Sequence, residues 1–111
     1  MTQSFKIAKN CNIEYSEKFI IDISYIILDI IINNEYYRIK ILYSEEIKIK
    51  IKEFLNTIVN GNNEEYLEKF NNSYISIKIR ESVYKTYKDI VIEIMEEDGS
   101  MFFNFNRKLI Y

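Results

Sequence analysis

Few side chains in this sequence could do chemistry. The 111 residues contain no histidine and one cysteine. That removes the imidazole base, the Ser-His and Cys-His nucleophile pairs and any histidine metal site. Cys11 stands between Asn10 and Asn12, beside Lys9, and reads as part of a polar turn. A reactive thiol needs a base or strongly electropositive surroundings, so an ordinary free cysteine is the simpler account. Asp22, Asp29 and Asp89 could converge as the paired carboxylates of a glycosidase, but solvated or bulge-associated acids explain them with fewer assumptions. Two glycines are too few for a glycine-rich phosphate cradle, and no stretch has the oxygen-ligand spacing of a calcium loop. The expectation is a protein that is not an enzyme and uses no cofactor and no metal.

The remaining candidates are residues that bind. Glu93, Glu96, Glu97 and Asp98 crowd together with no Lys or Arg between them. Such a run at a hairpin tip either keeps a strand edge from pairing with other chains or faces a basic partner. Beside it, Val91 and Met95 offer apolar surface, and Tyr87 offers an aromatic anchor of the kind that dominates interface energy. The candidate partner-binding set is therefore Tyr87, Val91, Glu93, Met95, Glu96, Glu97 and Asp98. Tyr36, Tyr37, Tyr74, Tyr84 and Tyr87 lie on or beside expected strands, where tyrosine serves half-buried sheets as readily as interfaces. Lys78, Arg80, Lys85 and Lys88 near Tyr84 and Tyr87 could stack single-stranded bases. A net charge of −2 and the lack of an RNP or GXXG signature count against nucleic acid.

These residues need a scaffold, and one stretch organises it. Ser44–Asn60 carries Ile47, Ile51, Phe54, Leu55, Ile58 and Val59 as a helical apolar stripe. Ser44 can cap its start, Glu45 and Glu46 favour the positive end of the dipole, and Gly61 stands where a left-handed terminator belongs. Residues 46–52 also alternate with period two, so a strand there with a shortened helix is the competing reading; the missing cap makes it the weaker one.

Most of the remainder reads as strand. Ser4–Lys9 suits a first edge strand, and a polar turn at Asn10–Asn12 follows it. Phe19–Ile32 is mostly isoleucine, which favours pleated structure. Asp22 and Asp29 have opposite parity there, so two strand segments with a break or bulge near Ser24–Ile27 are expected. Asn33–Glu35 should turn the chain back into Tyr36–Tyr43, pairing 26–32 with 36–43. Glu64–Phe70 suits two helical turns or a loop. Tyr74–Arg80 and Val83–Met95 alternate as strands, with Ile90, Ile92 and Ile94 inward. Asp98-Gly99 marks a tight turn, and Met101–Asn106 returns with Phe103 and Phe105 on one face.

The fold expected is α+β: an antiparallel sheet of about five or six strands with one main helix, about 44–60, packed on one face. One domain spanning 1–111 is expected, since a chain of this length can bury a core without staples. A lone cysteine fits a reducing compartment, and the N-terminus lacks a long apolar h-region. The most apolar window, Phe19–Ile32, is short for a span and contains acids. A cytoplasmic protein that does not enter membranes is the expectation.

The order of elements carries a resemblance. A strand is followed by Ile51-x-x-Phe54-x-x-x-Ile58 in a helix. An asparagine-rich segment then leads to Phe70, and Tyr74–Arg80 precedes a long terminal hairpin. Over residues 36–106 this resembles the WapI-type immunity proteins of bacterial polymorphic-toxin systems. The resemblance implies a non-catalytic protein that blocks a cognate toxin by one-to-one binding. It assigns no functional residue, because binding surfaces vary within the group. Small phage-encoded anti-defence proteins of the anti-CRISPR type share the size, acidity and lack of catalytic residues, and form the alternative.

Overall fold

The computed structural model describes residues 2–60, 65–70, 73–81, 88–96, 98 and 101–110, with the side chains of 80, 81, 88, 96 and 101–107 left aside. It is α+β, with two four-stranded antiparallel sheets and, among the described residues, a single helix. By backbone contacts the chain divides into two compact units, 1–61 and 62–111.

The first unit is a meander, β1 (Gln3–Ala8), β2 (Cys11–Phe19), β3 (Ser24–Ile32) and β4 (Glu35–Leu42), followed by α1 (Glu45–Asn60). Period-two alternation puts Phe5, Cys11, Ile13, Tyr15, Ile26, Leu28, Ile30, Ile32, Ile39 and Ile41 on one buried face. The helix runs nearest to β1. It buries Ile47, Ile51, Phe54, Leu55 and Ile58, which at 1.5–3 kcal/mol each amount to roughly 8–15 kcal/mol of gross transfer free energy before entropy is charged. Ser44 Oγ accepts a hydrogen bond from the Ile47 N–H at 3.1 Å, and the Ser44 carbonyl accepts one from Lys48 N–H at 2.9 Å. That is the expected N-cap, and it decides for the full helix over a strand at 46–52. Val59 departs from the expected stripe. It lies about 120° round from Ile47 at 100° per residue and is 41 % exposed.

Asn33 and Asn34 close the β3–β4 hairpin with φ of 53° and 68°. Asparagine tolerates the left-handed region, and two such residues make the tight turn whose twist suits a hairpin. The Asn33 N–H donates to the Asn10 carbonyl at 3.3 Å and the Asn10 amide to Asn33 Oδ1 at 3.2 Å, which ties this turn to the β1–β2 turn.

The second unit is also a meander: β5 (Glu65–Phe70), β6 (Ser73–Glu81), β7 (Lys88–Glu96) and β8 (Met101–Leu109). Tyr66, Phe70, Ile75, Ile77, Ile90, Ile92, Ile94 and Leu109 are its buried residues of matching parity. Phe103 and Phe105 take register positions opposite Ile94 and Ile92.

Several expectations need correction. There are two sheets of four strands, not one of five or six. Glu65–Phe70 is a strand and not helical turns, because pairing with β6 lets Tyr66 and Phe70 be buried. Cys11 is not in a turn; it opens β2 opposite Ile32. The break in the isoleucine run falls at residues 20–23, and β3 pairs in unbroken register on both sides without a bulge. The parity conflict of the two aspartates dissolves, since Asp22 lies in the turn and only Asp29 lies on a strand. The expected terminator Gly61, residues 62–64, the Asn71–Asn72 break, Val83–Tyr87 and Gly99 lie outside the described residues.

Candidate protein-binding surface

The β2–β3 turn carries four exposed large apolar side chains within five consecutive residues. Phe19, Ile20, Ile21 and Ile23 are 66, 51, 99 and 46 % exposed. The Ile20 N–H donates to the Ile23 carbonyl at 3.0 Å, so the turn is closed upon itself. Phe19 meets the Tyr43 ring edge to face at 5.5 Å, and the Tyr43 N–H donates to the Ser24 carbonyl at 2.9 Å. Exposed Leu42, opposite Tyr25 in register, lies on the other face of the sheet from Phe19. Single exposed isoleucines are ordinary, whereas several adjacent in sequence at one turn make a candidate binding surface.

At the other end of the β3–β4 hairpin, an open hollow of about 370 Å³ is lined by Asp29, Ile31, Asn34, Tyr36 and Arg38. Arg38 grips Asp29 through two hydrogen bonds, Nε to Oδ1 at 2.9 Å and Nη2 to Oδ2 at 3.2 Å. The carboxylate raises the guanidinium's affinity for its proton. The same guanidinium lies 5.7 Å from the centre of the exposed Tyr36 ring. Tyrosine and arginine held in place on a surface are residues on which interface energy concentrates.

A third cluster stitches the helix to the sheet. Glu17 accepts from Tyr15 Oη at 2.8 Å and pairs with Lys48 Nζ at 3.1 Å, and Lys52 Nζ stands 5.0 Å over the Tyr15 ring. Burial alone would raise the Glu17 carboxyl, but the hydrogen bonds from Tyr15 and Lys48 outweigh it and hold it below the usual carboxylate range. Every member is partnered within the unit, so the cluster reads as structural.

No protein-family model matches the chain, and no curated protein or solved structure matches it either.

The residues expected from sequence are distributed as follows. Val91, Glu93 and Met95 share the half-buried face of β7, opposite the buried Ile90, Ile92 and Ile94. Glu93 Oε2 lies 3.8 Å from Lys78 Nζ, so its charge is partly offset on the strand. Asp98 is exposed in a turn. Tyr87 and Glu97, and the side chain of Glu96, lie outside the described residues. So do Tyr84 and Lys85, and the side chains of Arg80 and Lys88, from the nucleic-acid reading. Tyr74 is half-buried with Lys69 Nζ 5.7 Å from its ring centre, and Tyr37 is half-buried while Tyr36 is exposed.

Asp29 is engaged by Arg38 and Asp22 sits in the β2–β3 turn, so these two carboxylates do not pair; Asp89 belongs to the second unit. Burial raises the Cys11 thiol from 9.0 to about 12, which keeps it protonated and unreactive. Among the described residues no cluster of three or more Cys, Asp or Glu could hold a metal ion, and no helix is long and apolar enough to cross a membrane.

The apolar turn is not legible in the sequence, because isoleucine on both sides of Asp22 reads as continuing strand. The usable signal lay just before it. Cys11, Ile13 and Tyr15 alternate with Asn12, Glu14 and Ser16, which makes β2 a strand that needs an end.

Proposed function

We propose that this is a non-catalytic protein that acts by binding and blocking another protein, as an immunity protein neutralises its toxin. The observation that carries the reading is the exposed apolar turn of Phe19, Ile20, Ile21 and Ile23. Exposed isoleucine gains nothing for folding, and it gains transfer free energy when a partner covers it. Asp22 within the turn and a net charge of −2 argue against an anionic bilayer as that partner. The order of elements that resembles WapI-type immunity proteins supports the toxin as target.

Coexpression with the product of an adjacent toxin gene tests the reading. The wild-type protein should restore growth, and Ile21→Asp should abolish rescue while leaving the urea midpoint unchanged, since Ile21 contacts almost nothing. Rescue undiminished by Ile21→Asp would show that the turn is not the binding surface. Absence of rescue by the wild type, together with genes for other inhibitors of bacterial defence nearby, would favour the anti-defence role. The acidic run Glu93, Glu96, Glu97 and Asp98 is a second surface to test, aimed at a basic target. A Glu96→Lys, Glu97→Lys double variant should slow association and weaken its dependence on salt. An unchanged on-rate would reduce that run to a solvated turn.

A further inference from the structure

The first sheet has two edges, β1 and β4, and β4 is the longer and more regular of the two. β1 has six residues and a register irregularity between Lys6 and Ala8. β4 has eight, in unbroken register with β3 from Glu35 to Leu42. Edges are blunted by shortness, proline, a bulge or charged side chains; β4 has none of the first three, and its protection is the positive charge of exposed Arg38 and Lys40, which turns away like strands and leaves an acidic one admissible.

The hairpin turn fixes which backbone groups face outward. A two-residue turn at Asn33–Asn34 makes Ile32 and Glu35 the first hydrogen-bonded pair, and such pairs alternate along an antiparallel ladder. The bonded pairs are then Ile32–Glu35, Ile30–Tyr37, Leu28–Ile39 and Ile26–Ile41. The Tyr43 N–H to Ser24 carbonyl bond continues the series. The N–H and C=O groups of Tyr36, Arg38, Lys40 and Leu42 consequently point away from β3.

The same four residues share the exposed outer face of the strand. Arg38 is steadied by Asp29, with a nitrogen still uncommitted to that pair, and Lys40 Nζ reaches to 6.0 Å from the Tyr25 ring. The opposite face continues the apolar row of Ile39 and Ile41. A second copy of this chain is a poor occupant. Fully overlapped antiparallel registers set Arg38 against itself or against Lys40, and like charges opposite one another destabilise a pair.

We infer that β4 takes up an extended segment of a protein partner, bearing Asp or Glu at alternate positions opposite Arg38 and Lys40 and apolar residues on the other face beside Ile39 and Ile41. This is strand addition, with main-chain bonds giving affinity and the alternating side chains giving selectivity. The inference rests on reading the protein as a binder and names the chemistry of its partner.

The test uses the full chain, ¹⁵N-labelled, and two probes: a blocked heptapeptide of alternating valine and glutamate, and its valine and lysine counterpart. The acidic peptide should slow amide hydrogen exchange at Arg38 and Lys40 by about tenfold or more, and the basic peptide should not. This reads as a shift of the open-edge population by binding. Lys40→Gln should weaken the acidic peptide several-fold, and Arg38→Glu with Lys40→Glu should reverse the preference. If the double variant fails to fold, Lys40→Gln alone carries the charge test, because it keeps the backbone intact. Equal protection by both peptides, protection confined to other strands, or no protection by the acidic peptide would each overturn the inference. None of these outcomes touches the growth-rescue assay, so failure of the edge and failure of the inhibitor reading are distinguishable.

Discussion

Replacing Cys11 with Ala should remove a pH dependence of folding that the wild-type protein shows in alkali. Cys11 is 1 % exposed at the start of β2, and burial moves its thiol from 9.0 to about 12. Between those two values the unfolded chain has released the proton and the folded chain still holds it. The folded state binds more protons there, so raising the pH favours unfolding. The contribution is full below about pH 9 and drains away toward pH 12. At 1.36 kcal/mol per unit the whole gap is about 4 kcal/mol, and about half of it, ~2 kcal/mol, is gone by about pH 10.5.

Urea unfolding followed by far-ultraviolet circular dichroism, at about pH 8 and about pH 10.5, measures this loss. The protein has no tryptophan, and tyrosine emission itself titrates in that range, so the backbone signal is the one to follow. Cys11→Ala should cost about 1 kcal/mol at the lower pH through lost packing. Its further loss on going to the higher pH should be ~2 kcal/mol smaller than the wild type's. Parallel losses in the two proteins would refute the assignment, and so would rapid modification of the folded wild type by a thiol reagent at about pH 8.

Two further outcomes follow from the packing of α1. Phe54→Ala should destabilise by roughly 3–5 kcal/mol in a denaturant melt, since Phe54 is buried on the sheet-facing stripe; a loss below about 1 kcal/mol would place the stripe elsewhere. Glu17→Gln should cost about 1 kcal/mol at neutral pH by weakening the charged hydrogen bonds from Tyr15 and Lys48. Because the folded carboxyl lies below its ordinary value of 4.5, its contribution is present above that value and lost as the pH falls through the folded one. The wild-type and Glu17→Gln melts should therefore converge in acid, and a gap that persists there would mean the loss is one of shape and not of charge.

The parts of the fold that were legible in the sequence are those where polar and apolar residues contrast. Helix α1 combines a capping serine, acids in its first turn and a stripe of five buried residues, and each local preference agrees with the others. β3–β4 was readable from two adjacent asparagines, which few arrangements other than a tight turn can use. β7 was readable because Ile90, Ile92 and Ile94 alternate with Asp89, Val91, Glu93 and Met95. β5 was harder, because Glu65–Phe70 has too few residues to tell period two from period 3.6.

Residues 19–23 are the least legible in the sequence, and the reason bears on function. A turn ordinarily advertises itself with Gly, Asn, Asp or Pro, but here three isoleucines and a phenylalanine surround Asp22. Their β-branched preference argues for strand, while the pairing of Phe19 with Ser24 leaves them to turn in solvent. Ile21, 99 % exposed, contributes almost no burial to the unit that displays it. Where a local choice contradicts the fold without a compensating gain within the chain, the compensation is sought outside it. The turn that the sequence pattern misreads is thus the same surface on which the binding proposal rests. A variant such as Ile21→Asp separates the two roles, because it removes what a partner would cover and leaves the folded core untouched.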